Sequence, residues 1–200
     1  MKPKRININT LLIELSIRKK DGFMKITAIR HCKAEGQECN APLTAEGEQQ
    51  AKELTAFLEG QHFDCVISSP FKRAIDTIKP FAELNEQSVK IDERLAERIL
   101  SAEDDPNWRD NLERTYIEEH LKFPGGESTF EAKQRITSFI NDLQAKSYKS
   151  VLIVTHGNLL SLMINLYDPS FGFKEWELLS NPDAFLIDAI SKDVSKLWVS

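Results

Sequence analysis

Short apolar runs alternate with amphipathic stretches along most of the chain. The apolar runs are four to seven residues long and rich in β-branched side chains, which is typical of buried strands. The predicted strands are KITAIR (25–30), DCVISS (64–69), VKID (89–92), SVLIVTH (150–156), AFLID (184–188) and KLWVS (196–200). Six strands spread over the chain predict a β-sheet at the centre of the fold.

The amphipathic stretches predict helices between these strands, because apolar residues recur in them at helical spacing. The predicted helices are LTAEGEQQAKELTAFLEG (43–60), FKRAIDTIKPFAEL (71–84), STFEAKQRITSFINDLQAK (128–146) and NLLSLMINLY (158–167). Pro80 predicts a kink or an early end of the second helix. Ser128 and Glu131 predict a capping box at the start of the third. The inward face of the third helix is expected to hold Phe130, Ile136, Phe139, Ile140 and Leu143.

Strands that alternate with helices predict an α/β fold, a three-layer α/β/α sandwich with a mostly parallel central sheet. Ligands of such folds bind outside the carboxyl ends of the strands. His31 follows the first predicted strand and His156 ends the fourth. The two imidazoles are therefore expected at the same edge if these strands are parallel neighbours. Residues 98–125 lose the alternation, and we expect an irregular or helical excursion there that serves as a lid.

Composition places the chain among globular proteins of one domain. Its 200 residues are 41% apolar and 28% charged, which suffices for a hydrophobic core. The net charge of −5 disfavours nucleic-acid or anionic-membrane partners, and the longest apolar run, VLIVT, is too short to span a membrane. Residues 1–24, by contrast, carry six basic and two acidic side chains. We expect residues 1–23 to be an N-terminal extension, disordered or a start-site artefact, and residues 24–200 to form the domain.

The chain has three cysteines, Cys32, Cys39 and Cys65, without the CxxC spacing of zinc or thioredoxin sites. No clustered histidine or further cysteine completes a ligand set around the first two. The cysteine pattern therefore predicts a reduced, cytoplasmic setting and no metal site.

Side chains suited to chemistry stand at several predicted strand ends, although each is ambiguous by itself. Arg30 and His31 lie together where the first strand ends, a pair that is also common as an ordinary surface feature. Arg73 lies near the start of a predicted helix, where a cation opposes the helix dipole and a bound anion would relieve the conflict. His156 precedes Gly157, which lets the backbone approach a ligand closely.

Glu97, in DERLAERI, adds an acid just after the third strand. Together these elements supply two imidazoles, two guanidiniums and one carboxyl group at successive strand ends. Such a set can transfer a phosphoryl group without a metal, because planar, permanently charged donors match the charge on its three oxygens. A neutral imidazole can attack phosphorus and form a phosphohistidine, which divides one displacement into two easier ones.

Six segments, in order, resemble the signature motifs of the histidine phosphatase superfamily, the family of the cofactor-dependent phosphoglycerate mutases. They are RHCKAEGQ, APLTAEGEQQAKEL, SSPFKRAIDT, ERLAER, FPGGES and VLIVTHGN. The resemblance covers about residues 24–190. It implies a phosphoglycerate mutase-like fold and a phosphohistidine intermediate.

The resemblance also implies catalytic roles. His31 is expected to be the nucleophile that becomes phosphorylated. Arg30, Arg73 and His156 are expected to bind the phosphoryl oxygens and stabilise developing charge. Glu97 is expected to protonate the leaving alcohol and then to activate the water that cleaves the phosphohistidine.

Three more residues are expected to bind the substrate. Gln37 stands where relatives often have Asn, Asn158 offers its backbone N–H or its side chain, and Gly157 allows close approach. Two positions depart from the family pattern, since Cys32 replaces the usual Gly and Lys33 the usual acidic residue. We interpret Cys32 as a buried small residue that is tolerated if its φ is negative, with redox sensitivity as the alternative. Lys33 adds positive charge that suits an anionic substrate.

These expectations favour a histidine acid phosphatase-type phosphoric monoester hydrolase that acts on a small phosphorylated molecule without cofactor or metal. A phosphoglycerate mutase is the alternative within the family, disfavoured because the stretch 98–125 is short and its arginines are mixed with acids. A non-catalytic domain that binds a phosphorylated ligand is the alternative from another class. Cysteine-based phosphatases are excluded, since no arginine lies six positions after any cysteine, and P-loop, HExxH and GxSxG motifs are absent.

Overall fold

One six-stranded sheet organises the computed structural model, which describes residues 24–198. The expected extension, residues 1–23, lies outside the described residues. The strands are β1 (Lys25–Arg30), β2 (Cys65–Ser68), β3 (Val89–Ile91), β4 (Ser150–Thr155), β5 (Asp183–Asp188) and β6 (Val194–Lys196). The α-helices are α1 (Ala45–Phe57), α2 (Lys72–Leu84), α3 (Trp108–Ile117), α4 (Thr129–Ala145), α5 (Gly157–Asn165) and α6 (Phe173–Glu177), and a 3₁₀ turn covers Glu93–Leu95.

The strands follow the order β3-β2-β4-β1-β5-β6 across the sheet. Neighbours among β3, β2, β4 and β1 pair in parallel, whereas β5 pairs antiparallel with β1 and β6 antiparallel with β5. The mostly parallel sheet is therefore confirmed, with two antiparallel strands at one side. Parallel pairing brings the carboxyl ends of four strands to one edge of the sheet. The segments that follow β1 and β4 begin at this edge.

Helices cover both faces of the sheet, so the α/β/α sandwich is also confirmed. Val151 and Ile153 of β4 pack on the side of α4 and α5, while Leu152 and Val154 pack on the side of α1 and α2. All four side chains are fully buried. A central parallel strand is covered on both faces, which explains why this segment is continuously apolar in the sequence.

Helix α2 continues through Pro80 to Leu84, so the expected early end is wrong. Proline removes one backbone hydrogen bond from the helix interior. The side chains of Ile78, Phe81 and Ala82 in the same turns are buried in the core. Burial of this apolar face holds the helix together across the missing bond.

Two other expectations need correction. Phe130 is 39% exposed, because it lies in the first turn of α4, where its ring packs only on that of His120 among the aromatic rings of the described residues. The other four residues predicted for the inward face are buried. The last strand is Val194–Lys196 and not 196–200, since antiparallel pairing with β5 sets its position. The final two residues of that predicted run lie outside the described residues.

The excursion 98–125 contains helix α3 at its centre. This helix packs against α6, a short helix that no pattern in the sequence indicated. The rings of Trp108 and Trp176 lie 6.4 Å apart, and Arg109 pairs with Glu177. The lid role of the excursion stays a prediction. Within residues 24–198, no helix is long and apolar enough to cross a membrane.

The capping box at the start of α4 is confirmed and yields a stability prediction. The Ser128 hydroxyl accepts from the Glu131 N–H at 3.2 Å, and the Glu131 carboxylate accepts from the Ser128 N–H at 2.8 Å. Ser128→Ala should lower the free energy of unfolding by about 1 kcal/mol, because a helix N–H loses its acceptor. Urea denaturation measures the change. Gln134→Ala, at an exposed position of the same helix, should stay within about 0.5 kcal/mol of the wild type, and equal losses in both variants would contradict the capping role.

Candidate active site

The carboxyl ends of β1 and β4 place two histidines side by side. Arg30 of β1 lies opposite Thr155 of β4, and the next N–H, that of His31, donates to the Thr155 carbonyl at 2.9 Å. His31 and His156 therefore leave neighbouring strands together, with ring centroids 5.0 Å apart. The expected position of both imidazoles at one edge is confirmed.

His31 is held in one tautomer by a partner at each ring nitrogen. Nδ1 lies 2.6 Å from the Cys32 carbonyl, which can only accept, and Nε2 lies 3.1 Å from Arg73 Nε, which can only donate. Nδ1 therefore carries the proton, and Nε2 keeps its lone pair. Burial, with the charges of Arg73 and Arg30, lowers the pKa of His31 to about 3, against the opposing effect of the Cys32 carbonyl. The ring is a neutral base whose Nε2 lone pair accepts from Arg73.

Arg73 is fixed beside this nitrogen by the loop that follows β1. Its Nη1 donates to the carbonyls of Gln37 and Glu38 at 3.0 and 2.9 Å, and its guanidinium lies 4.8 Å from the ring centre of Phe71. The Gln37 backbone thus orients the guanidinium. Substrate binding by the Gln37 side chain stays a prediction.

Arg30 lies at the same edge, against the start of α5. Its Nη1 donates to the Leu179 carbonyl at 2.7 Å. A Cβ atom added to Gly157 would lie 3.1–3.2 Å from three guanidinium atoms of Arg30. Gly157 is therefore needed at this point for close approach of the guanidinium, while its expected contact with substrate stays a prediction.

His156 is fully buried at the entrance of α5. Its Nε2 lies 2.7 Å from the Ser69 hydroxyl, and the ring of Phe71 packs on it with centroids 4.9 Å apart. Burial lowers the pKa of His156 well below its ordinary value, followed by the repulsion that would arise if His31 were protonated at the same time and by the charge of Arg73. This second imidazole is also neutral.

Glu97 sits at the N-terminus of α5, next to the two guanidiniums. Its carboxylate accepts from the N–H groups of Asn158 at 3.1 Å and Leu159 at 3.0 Å. Burial lowers the pKa of both Arg30 and Arg73, and the Glu97 charge offsets part of this effect at each. All five residues expected to be catalytic are thus brought to one edge of the sheet.

Asn158 uses its polar groups within the protein. Its N–H donates to Glu97, and its Nδ2 donates to the Tyr116 hydroxyl at 2.9 Å. Nη1 of the buried Arg98 side chain lies 3.5 Å from its Oδ1. The two groups through which we expected Asn158 to meet phosphate are therefore both engaged, and direct substrate binding by this residue stays a prediction.

Three residues at this edge were missed in the sequence. Ser69 stands within the quoted SSPFKRAIDT segment, so its place in the motif was the available signal. Tyr116 and Arg98 come from the excursion 98–125, where no periodicity indicated which side chains point inward. Their contacts with Asn158 anchor the excursion to α5.

Cys32 occupies the position of the family glycine without strain. It is fully buried, its φ is not positive, and its N–H donates to the Thr77 hydroxyl at 2.9 Å. Burial raises the pKa of the thiol to about 12. The protonated, buried thiol fits the interpretation as a small packing residue. Lys33 is exposed and pairs with Glu46.

No group of three or more His, Cys, Asp or Glu side chains within residues 24–198 has the arrangement of a metal site. The two central histidines lie instead beside Arg73, whose Nε occupies the His31 lone pair. A guanidinium at that position suits an anion and repels a cation.

A model of the family described as "Histidine phosphatase superfamily (branch 1)" matches residues 26–182. The chain is 29% identical over 163 residues to the adenosylcobalamin/alpha-ribazole phosphatase of Escherichia coli, covering 70% of this chain and 77% of that protein. It is 26% identical over 150 residues to phosphoserine phosphatase 1 of Hydrogenobacter thermophilus, covering 67% and 71%.

Solved structures show the same fold. The mycobacterial glucosyl-3-phosphoglycerate phosphatase matches with a TM-score of 0.70 and 19% sequence identity, covering 88% of this chain and 97% of that one. The six-stranded sheet described above is thus a phosphoglycerate mutase-like fold.

Because His31 is buried in its neutral form, we expect the free energy of unfolding to depend on pH. The native pKa of about 3 lies below the ordinary value of 6.5, so the unfolded state binds more protons between these values and stability falls as pH drops below about 6.5. One such histidine lowers the free energy of unfolding by about 2 kcal/mol between pH 7 and pH 5.

Urea denaturation at pH 7, 6 and 5 tests this. His31→Gln should remove about 2 kcal/mol of the pH dependence, leaving the contribution of His156, which has the same sign. His62→Gln, at an exposed position, is the matched control and should keep the wild-type dependence. If the two variants respond to pH alike, His31 is not buried as a neutral base.

Proposed function

Because the chain belongs to the histidine phosphatase superfamily (branch 1), we propose that it hydrolyses the phosphate monoester of a small molecule through a phosphohistidine at His31, without metal or cofactor. One observation carries the proposal: the neutral His31 ring keeps its proton on Nδ1 and directs the Nε2 lone pair at a guanidinium of the same site. The relatives named phosphoserine phosphatase and alpha-ribazole phosphatase support a small substrate.

The first step forms the phosphohistidine. Glu97 first takes the proton of the substrate monoanion. Nε2 of His31 then attacks phosphorus, the bond to the ester oxygen breaks, and Glu97 gives this proton to the departing alcohol. The imidazole gains positive charge, which the Cys32 carbonyl stabilises through its hydrogen bond to Nδ1–H. Arg73 transfers its Nε donor from Nε2 to a phosphoryl oxygen, while Nη1 stays on the two loop carbonyls.

The second step returns the enzyme to its starting state. Glu97, now without its proton, takes a proton from water as the water oxygen attacks phosphorus. The bond between phosphorus and Nε2 breaks, its electron pair returns to the ring, and inorganic phosphate leaves with the proton held by Glu97. The guanidiniums of Arg30 and Arg73 stabilise the phosphoryl oxygens in both steps, because both lie at the same edge of the sheet as the imidazole pair and stay positively charged.

The arginines of the excursion favour a phosphatase over a mutase. A mutase retains its phosphorylated reactant for transfer to a second hydroxyl, and arginines above the pocket would serve that purpose. Here Arg98 Nη1 donates to the hydroxyls of Thr115 and Thr129 at 3.1 and 3.0 Å. Arg109 pairs with Glu177, and Arg114 pairs with Glu118. All three arginines of the excursion are thus engaged with other side chains, and none is left to hold a phosphorylated reactant away from water.

His31→Ala tests the nucleophile. The variant should lose turnover of p-nitrophenyl phosphate by at least about 10³-fold, because it lacks the nitrogen that accepts the phosphoryl group. His62→Ala is the matched control and should retain wild-type turnover. Assays contain a chelator, under which the wild type should keep full activity. Substantial residual turnover in His31→Ala would exclude the assigned nucleophile.

Wild-type protein denatured in alkaline detergent during turnover should carry phosphate on His31, detected by mass spectrometry and removed by acid. A non-catalytic binding domain would never acquire it. With 3-phosphoglycerate as substrate, free phosphate is expected, whereas an isomeric phosphoglycerate would indicate a mutase.

Glu97→Gln tests the general acid. Alkyl phosphates such as phosphoserine need a proton on the leaving oxygen, whereas the p-nitrophenolate ion leaves without one. We expect kcat/KM to fall at least about 100-fold more for the alkyl ester than for the aryl ester. This ratio reports the first step and is independent of how fast water cleaves the intermediate. Glu93→Gln, at an exposed carboxylate nearby, should change neither value, and equal losses on both esters in Glu97→Gln would remove Glu97 from this role.

A further inference from the structure

Ser69 is a buried hydroxyl next to the reacting groups, and the two steps above give it no role. Its side chain is fully buried where β2 leads into α2. Its Oγ lies 2.7 Å from Nε2 of His156 and accepts from the Phe71 N–H at 3.2 Å. No other hydrogen bond of this oxygen occurs among residues 24–198.

Proton accounting decides the direction of the contact with His156. A serine hydroxyl has one hydrogen to donate and two lone pairs to accept with. The Phe71 N–H uses one lone pair, so the hydroxyl hydrogen has a single acceptor within reach in the described residues, Nε2 of His156. A buried hydroxyl hydrogen without an acceptor is costly. Nε2 therefore accepts, and it cannot carry a proton itself.

A neutral imidazole has one proton, which must then lie on the other nitrogen of His156. Burial, together with the charges of Arg73 and Arg30, keeps this ring neutral by lowering its pKa. Nδ1 is buried and has no hydrogen-bond partner within residues 24–198. Buried donors without an acceptor are rare and need an explanation. The ring that carries this donor lies 5.0 Å from the ring of His31.

We infer that Ser69 is a positioning residue that sets the tautomer of His156, so that Nδ1–H donates to an oxygen of the phosphoryl group carried by His31. The opposite tautomer would present a lone pair to an anion and would repel it. Ser69 thereby converts a neutral histidine, which accepts as readily as it donates, into a dedicated donor. This inference rests on the proposed function for the identity of the acceptor, but the tautomer itself does not depend on catalysis.

Ser68 provides a matched control one residue earlier. It is equally buried, and its hydroxyl donates to the backbone carbonyl of Ser69 at 2.9 Å. Ser68→Ala and Ser69→Ala therefore remove the same atoms from the same strand end, but only the second removes the partner of an imidazole.

The test reads the ring nitrogens directly. Long-range ¹H–¹⁵N NMR of the ¹⁵N-labelled protein at pH 7 distinguishes a protonated ring nitrogen from one with a lone pair, and His156→Asn assigns the signals. In the wild type we expect His156 with Nδ1 protonated and Nε2 bare. A proton on Nε2 in the wild type would overturn the inference, and this measurement needs no variant to fold.

The variants then test cause and consequence. Ser69→Ala should shift His156 to a mixture of tautomers or to the opposite one, and should weaken binding of inorganic phosphate about tenfold, the size of one lost hydrogen bond. Ser68→Ala should match the wild type in both readouts. An unchanged His156 tautomer in Ser69→Ala would overturn the inference, whatever happens to turnover. Failure of His31 to become phosphorylated would instead overturn the proposed function and leave the tautomer result standing.

Discussion

Parallel pairing of β1 with β4 is the constraint on which the site depends. The register places Arg30 opposite Thr155, and the backbone bond from His31 to Thr155 continues the ladder by one residue. A histidine directly follows each of these two strands, so the two rings must lie next to each other. A slip of one residue would turn every β4 side chain to the other face of the sheet. Core packing on both faces therefore also fixes the chemistry at the edge.

The other charged side chains of the site reach this edge from separate segments of the chain. Arg73 comes from the first turn of α2, Glu97 from the segment after the 3₁₀ turn, and Arg30 from the last position of β1. Their charges act on imidazoles that burial already disfavours as cations, so both rings stay neutral while the guanidiniums stay charged. The result is a positively charged edge that contains two neutral imidazoles, which is the environment that the proposed attack of His31 on a phosphate ester requires.

Much of this arrangement could be predicted from the sequence, because the positions of the strands and the residues at their ends follow from local patterns. The continuous apolar run of β4 and the Gly157 that follows His156 are examples. The errors come from contacts between distant segments. Pro80 was expected to end a helix that core packing continues, and the last strand was set by its pairing with β5.

The contacts between side chains of the site were harder to predict than which residues form the site. No sequence pattern indicates that Asn158 donates to Tyr116, since the partner comes from an excursion without periodicity. The bond from Ser69 to His156 joins residues 87 positions apart. Such hydrogen bonds depend on which rotamers are allowed by packing within the site. The motifs indicate only which side chains lie at the edge of the sheet.

A crystal structure of the protein with orthovanadate tests the central claim most directly, because vanadium takes the geometry of phosphorus under attack. The account predicts a bond from vanadium to Nε2 of His31, with the guanidiniums of Arg30 and Arg73 on the equatorial oxygens and the Cys32 carbonyl still on Nδ1. Vanadate bound without contact to Nε2, or held by a different set of side chains, would contradict it.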